Sequence, residues 1–487
     1  MKIVYFIICL SFLSAGCSDW FEVKPRSENR EKEHYTYEEG FKSTLTGVYI
    51  RMASASLYGQ DMTMVLPELL AQHWETSKYA VLKYHNIASY QYAETDVENM
   101  LSNLWKEYYL AIANLNNILE NIEERRDIFA PGNYELIKGE ALGLRAFLHF
   151  DLLRLFGPVP EKNAGEKIAI PYVKNVTKVV DELTSLPYDK VVESILTDLD
   201  SAEILLKNDP LVNYDNDFLN KPGAINAEEI DDFHYYRQYR FNWYAVKATK
   251  ARVFLWNGDT RNAGKFAREV IGAEKFRLAL NSDLTTEGLE DRTFTKEHIF
   301  AIHNPRLADI VTPLFMSGTN VFQRVKNVVE KTFETGQNPE DIRIAGTLYW
   351  EDRVVSGSVR KYCYKKYDQD GKTESDVTQV VPLIRLAEMY LIAMECSEPE
   401  EALPFFKEFR ICRKMNVALD ESFSNRKELM ERIEKEYRKE FFAEGQMFFF
   451  CKRLNQEKIM GQKGTYNVTM DEDTYVLPKP SGQLVFE

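Results

Sequence analysis

The sequence is poor in the residues that usually carry chemistry. Its 487 residues include only seven histidines, His34, His73, His85, His149, His234, His298 and His303, and these lie far apart. None forms His-Glu-x-x-His or a His-x-His pair, so the common helical zinc-hydrolase pattern is excluded. No Gly-x-Ser-x-Gly elbow and no Walker loop occurs. The six cysteines contain no Cys-x-x-Cys pair and no metal-ligand spacing. After Cys17 no segment reaches the roughly 18 uninterrupted apolar residues of a membrane-crossing helix. Positive charge is also short. The net charge of −14, with no dense Lys/Arg stripe, excludes non-specific nucleic-acid binding.

Apolar and aromatic residues are plentiful, at 45% and 13%, which is enough for a large core. The amino-terminal residues read as a leader. Lys2 precedes an apolar run, Ile3 to Leu13, too short to span a bilayer. Leu13-Ser14-Ala15-Gly16 then leads to Cys17. This spacing predicts a signal peptide over 1–16 and lipidation of Cys17, although Ser14 and Gly16 also suit ordinary signal-peptide cleavage. Two or more acyl chains would anchor the protein firmly. Residues 17–37 read as an extended polar tether.

Helical periodicity dominates the rest. Helices are predicted over Glu38–Leu57, from an Asp61 cap through Leu70, and over Val97–Ile122. An amphipathic helix is predicted over Tyr134–Phe156, ended by Gly157-Pro158-Val159-Pro160, where Gly157 can take the left-handed conformation. Further helices are predicted over Tyr188–Leu206, Arg240–Trp256, Thr260–Ile271 and in Leu383–Arg410. A single long helix is predicted over Arg426–Leu454. Small residues at Ala245, Ala248, Ala251, Ala263 and Ala267 flank the Asn257-Gly258-Asp259 turn, as in stacked tetratricopeptide units. The fold class is therefore mostly α: an irregular tetratricopeptide-like helical-hairpin scaffold, mainly 38–273 and 379–456. A loop-rich second part, 274–378, carries short strands such as Ile299–Ile302, within one body over 38–487. His73–Met100 has no clean period and reads as a functional or Ω-like loop.

Several polar features have structural readings. His149 is expected in the core or at a helix interface. Glu436, Glu440 and Glu444 share a helix face, as a solvated face or an ion-pair network rather than as acid–base catalysts. Cys396 and Cys412 lie on successive helices and could meet, but free thiols are the expectation. Asp368–Asp376 (DQDGKTESD) is read as a polar turn, because a calcium-loop register on Gly371 puts Lys366 where an acid is needed. No cofactor or metal is implied.

Four segments carry a resemblance. They are the start at Cys17-Ser18-Asp19-Trp20-Phe21-Glu22-Val23-Lys24-Pro25, "GEALGLRAFLHFDLLRLFGPVP" over Gly139–Pro160, "VPLIRLAEMYLIAMEC" over Val381–Cys396, and "YRKEFFAEGQMFFFCKRL" onward to the terminal "LPKP". Together they resemble the SusD/RagB family of outer-membrane lipoproteins of Bacteroidetes. The chain departs from that family's pattern at Gln446-Met447, where it often has His-Arg, and at Phe450, where it often has Asp. The resemblance implies a non-catalytic nutrient-binding protein on the outer face of the outer membrane. It would capture an oligosaccharide, or in some branches a peptide, for a SusC-like TonB-dependent transporter. Sugar recognition needs flat rings for C–H faces and polar groups for hydroxyls. The candidates are His73, Trp74, Tyr84 and Asn86, then His303, Asn304, Tyr349 and Trp350, with burial as packing the competing reading for each. Alternatives of other classes are a helical-repeat protein–protein scaffold without its own ligand, and a lipoprotein hydrolase.

Overall fold

A computed structural model describes residues 33–160, 164–176, 183–221, 231–286, 289–316, 322–356, 359–368, 378–416 and 422–484. The leader, Cys17 and the tether up to residue 32 lie outside the described residues, as do residues 369–377 of the polar turn beginning at Asp368.

The chain is mostly helical. The first group comprises α1 (Glu38–Met52), α2 (Leu66–Leu70), α3 (Leu82–Ala88), α4 (Thr95–Ile122), α5 (Asn133–Phe156), α6 (Tyr188–Leu205), α7 (Trp243–Trp256) and α8 (Thr260–Gly272). Later come α9 (Lys326–Thr332), α10 (Leu386–Glu395), α11 (Pro399–Cys412), α12 (Arg426–Glu440) and α13 (Gln446–Arg453). Neighbours in sequence pack as hairpins: α4 with α5, α5 with α6, α7 with α8, and α10 with α11. Because α8 also packs on α10, the stack continues across the intervening loop-rich part. The five alanines of the α7–α8 pair are fully buried, so the two backbones approach closely. Asn242 and Asp259 cap these helices, accepting from the backbone N–H of Ala245 (2.9 Å) and Asn262 (3.0 Å).

The helix within the Gly139–Pro160 motif is more central than its pattern implies. Of the 24 residues of α5, all but Glu135 and Lys138 are buried, so the helix is enclosed rather than amphipathic. Its glycines permit this. A Cβ at Gly139 would lie 2.6 Å from Leu206, and one at Gly143 2.5 Å from the Phe241 ring. Its polar side chains are paired inside: Glu140 with Arg237 (2.5 Å), and Arg145 with Asp198 (2.7 Å). His149 donates from Nδ1 to the Arg145 carbonyl (2.8 Å) and accepts the Val173 N–H at Nε2 (3.1 Å). Burial lowers its pKa to about 3, so it is a neutral core histidine.

The exit of α5 also differs from expectation. Gly157 is extended (φ −80°), not left-handed. The helix end is closed instead by the Lys452 Nζ group, which donates to the carbonyls of Leu155 (3.1 Å) and Gly157 (2.9 Å), and by the Leu477 N–H on Leu155 (3.2 Å). Burial holds the Lys452 pKa well below its ordinary value.

The predicted single helix Arg426–Leu454 is broken. Ala443 (φ 60°) and Gly445 (φ 73°) turn the chain between α12 and α13. A Cβ at Gly445 would meet the Met62 carbonyl at 2.6 Å. The carboxylates of Glu436, Glu440 and Glu444 are buried in an ion-pair network, not solvated. Arg385 meets Glu297 (2.9 Å), Glu440 (2.7 Å) and Glu444 (2.7 Å). Arg413 meets Glu297 (2.8 Å) and Glu440 (2.7 Å). Arg343 meets Asp341 (2.7 Å), Glu436 (2.9 Å) and Glu440 (3.0 Å). The network ties α12 to the loop-rich part.

That part holds small antiparallel sheets. β1 (His298–His303), which contains the predicted strand, pairs with β5 (Val380–Arg385). β2 (Gln323–Val325), β4 (Val359–Tyr364) and β3 (Trp350–Ser356) form a sheet in the order β2–β4–β3. A hairpin of β6 (Lys458–Met460) and β7 (Tyr466–Thr469) follows α13. Cys363, Cys396, Cys412 and Cys451 are free thiols.

Candidate functional site

The two groups of sequence-predicted residues converge, but in the interior. Trp74 and Trp350 both pack edge-on against Phe442, each with its ring centroid 5.3 Å away. Both also approach Tyr364, at 6.2 and 4.5 Å. His73 stacks on Phe442 at 4.3 Å and hydrogen-bonds Glu68 through Nδ1 (2.7 Å). Tyr349 stacks between Phe294 and Tyr364. The indole N–H groups are satisfied internally, Trp74 by the Met64 carbonyl (2.9 Å) and Trp350 by the Arg343 carbonyl (3.2 Å). Asn304 donates to the Ala53 carbonyl (2.9 Å) and accepts the Arg306 N–H, while Asn86 reaches Asp96 (3.4 Å). All six of these residues are at most 5% exposed. A ring packed against other rings has no free face for a sugar, so in this conformation Trp74, Trp350 and Tyr349 form an aromatic nest beneath the surface rather than a platform on it.

Above the nest lies the segment 75–85, which runs into the first turn of α3. It is clamped at several points. The Glu75 N–H donates to Gln323 (3.2 Å), the Glu75 carboxylate accepts the Val325 N–H (2.7 Å) and pairs with Lys361 (2.7 Å), and Thr76 exchanges two 3.2 Å hydrogen bonds with Gln462. On this frame Tyr79 is 88% exposed and Leu82 54% exposed, with Tyr84 and His85 half-buried beside them. The Tyr84 ring rests on Phe322 at 4.9 Å, and Phe322 in turn stacks on Trp74. Lys78 and Lys83 sit over the Tyr79 and Tyr84 rings at 5.1 and 5.4 Å. Rings on a clamped segment are a suitable surface for C–H faces, and the two ammonium groups can meet hydroxyl or carbonyl oxygens. Tyr79 is the residue that sequence reasoning passed over. The polar pair Ser77-Lys78 immediately before it was the available signal.

Asp61 adjoins this segment. It does not cap a helix as expected: it opens a π-helical turn, Asp61–Val65, and makes no side-chain cap bond. Burial pushes its carboxyl up to about 6, against the Gln60 amide (2.9 Å) and the nearby Lys83 charge, and its field with burial raises the Tyr84 hydroxyl to about 12. The raised carboxyl pKa makes the native state bind a proton more tightly than the unfolded chain does. Its contribution to stability is therefore lost as pH rises from 3.8, its ordinary value, to about 6. Asp61→Asn is expected to flatten that limb in urea midpoints measured across the window. An unchanged slope would show that Asp61 titrates normally.

His303 is half-buried at the end of β1, its ring 5.9 Å from Tyr239. It does not join the aromatic nest.

Comparison with known proteins places this arrangement. Residues 19–218 match a family model described as "Starch-binding associating with outer membrane", and residues 317–479 match the model of the SusD family. The chain belongs to the SusD/RagB family. Among its relatives, SusD-like protein P2 of Formosa agariphila is 23% identical over 308 residues, which is 61% of this chain and 53% of that protein. The chain thus spans about half the length of that relative. SusD-like protein P38 of the same organism is 22% identical over 94% of this chain and 92% of its own. A SusD superfamily protein from Bacteroides thetaiotaomicron has the same fold, with a TM-score of 0.70 at 19% identity over 92% of this chain and 98% of its own. The segments Gly139–Pro160 and Val381–Cys396, which carried the resemblance, correspond here to α5 with its exit and to β5–α10, both largely buried.

Proposed function

We propose that the protein is a non-catalytic nutrient receptor of the outer membrane. In this reading it is held by acylated Cys17 and captures an oligosaccharide, or a peptide, for a SusC-like TonB-dependent transporter. The observation that supports ligand capture is the exposed Tyr79 ring beside half-buried Tyr84, on a segment fixed at Glu75 and Thr76 and underlaid by rings. A preformed ring surface binds without first ordering a loop, which lowers the cost of association. His73, Trp74 and Trp350 act in this proposal as supports that set the height and tilt of the segment, and Tyr84 as the contact residue among the predicted set. Family membership favours the outer-membrane setting, because the matched model is described as associating with that membrane.

The test is binding of purified mature chain to an oligosaccharide panel and a peptide panel. Tyr79→Ala and Tyr84→Ala are each expected to weaken the bound ligand about threefold to tenfold, the value of one ring contact. Saturable binding unchanged in the double variant would overturn the site. A chain that binds nothing in either panel but retains a protein partner would favour the helical-repeat scaffold.

A further inference from the structure

A separate cleft of about 650 Å³ lies among the helical turn at Asn216–Leu219, the 236–239 turn and the segments 274–277, 283–286 and 289–296. None of the residues discussed so far as ligand contacts lines it. Its walls contain three side-chain amides, Asn216, Asn220 and Gln238, whose buried carbonyl oxygens have no hydrogen-bond partner. Only one other side-chain amide oxygen among the described residues, that of Gln456, shares this condition. Gln238 is 5% exposed, so bulk solvent does not compensate it freely.

The backbone around the cleft is also unusual. Nine non-glycine residues among those described have positive φ, and three of them border this cleft: Tyr236 (54°), Glu274 (54°) and Phe294 (59°). Left-handed backbone at a large side chain costs free energy, and such positions concentrate where binding geometry is built.

Three of the five carboxylates in the walls are matched by cations, leaving Glu274 and Asp291. Arg277 holds Asp283 with two 2.6 Å hydrogen bonds, Lys296 holds Asp217 at 2.7 Å, and Lys275 lies 3.9 Å from Asp215. Asp291 is saturated by the N–H groups of Thr293 (3.1 Å) and Thr295 (2.8 Å) and by the Thr295 hydroxyl (2.7 Å). The three amide oxygens still lack hydrogen-bond donors, and the excess of acidic groups disfavours an anionic ligand. Tyr239, stacked on Tyr236 at 6.0 Å, and Phe276 add apolar ring surface to the same walls. Amides that both donate and accept, set beside rings, match the hydroxyls and C–H faces of a sugar, and they do so whichever way each amide is turned.

We infer that this cleft is a second ligand subsite, which reads the hydroxyl groups of a neutral saccharide through Asn216, Asn220 and Gln238. Its ligand class rests on the nutrient-binding function proposed above, but its residues are distinct from those of the 75–85 segment.

The test uses the mature full chain with maltotriose, xylotriose and mannotriose as neutral probes and tri-galacturonate as the charged control. Hydrogen exchange followed by mass spectrometry is expected to slow in peptides covering 236–239 and 274–296 with at least one neutral probe. The double variant Asn216→Ala/Asn220→Ala, at two half-buried positions, is expected to weaken that binding about tenfold or more. Gln238→Ala, checked for folding by its unfolding midpoint, should do the same. Protection by tri-galacturonate alone, absence of cleft protection with every neutral probe, or wild-type affinity in the double variant would each overturn the subsite. Tyr79→Ala separates the two readings. If it abolishes all probe binding and the cleft is never protected, only the second subsite fails. If no probe binds anywhere, the nutrient-binding function fails for these sugars together with the subsite.

Discussion

Glu440→Ala is expected to cost about 3–5 kcal/mol of folding stability, the range for removing one member of a buried ion pair. Its carboxylate accepts from Arg385 (2.7 Å), from Arg413 through two nitrogens (2.7 and 3.0 Å) and from Arg343 (3.0 Å). Three guanidinium groups would lose a shared counter-charge at a site closed to water. Glu297 and Glu444 would still face Arg385, but Arg413 would retain only Glu297. Burial alone would raise the Glu440 pKa, and Arg413 and Arg385 beside it hold it well below the ordinary carboxylate range. Its stabilising contribution is therefore present at neutral pH and is lost progressively as pH falls from the ordinary value of 4.5 toward that depressed one. Glu440→Gln keeps the shape and removes the charge, so it should be nearly as damaging. Urea unfolding at neutral pH measures both, as a lower midpoint at unchanged slope. A loss below about 1 kcal/mol, typical of an ordinary substitution, would mean that the arginines have other compensation.

Trp74→Ala is expected to destabilise the fold by about 3–5 kcal/mol through the cavity it leaves. The indole is fully buried among Phe315, Phe322, Tyr364 and Phe442, and its N–H is committed to Met64. Ligand affinity of the variant, measured where it remains folded, should fall less than that of Tyr79→Ala. The reverse pattern, with intact stability and abolished binding, would mean that the ligand reaches the indole directly. The thermal midpoint and a binding isotherm on the same preparation distinguish the two outcomes.

The helical hairpins were legible because each is encoded locally. Asn257-Gly258-Asp259 supplies a turn and a cap within a few residues, and the alanines of α7 and α8 announce a close approach. The break between α12 and α13 was not legible. Ala443 has no intrinsic preference for φ 60°, and the turn is imposed by packing against Met62, far away in sequence. The same holds for α5, whose length and leucines suggest one apolar face, whereas its enclosure depends on Leu206 and Phe241 meeting its glycines. At the candidate site, sequence could mark His73–Met100 as ring-rich but could not rank its rings by exposure. Trp74 is covered by Phe322 and Phe442, hundreds of residues later, whereas Tyr79, with only its neighbour Lys78 recorded over its ring, stays 88% exposed. The cleft amides carry no local pattern at all, since Asn216 and Gln238 meet only through the fold.

The Lys452 side chain that closes α5 has a consequence for biogenesis. Lys452 and Leu155 are 297 residues apart, so the ribosome releases the signature helix long before the group that terminates it exists. Until then the carbonyls at Leu155 and Gly157 lack that donor. A product truncated before residue 452 would carry this defect permanently. The carboxyl end of α5 is thus completed only once the chain extends past residue 452.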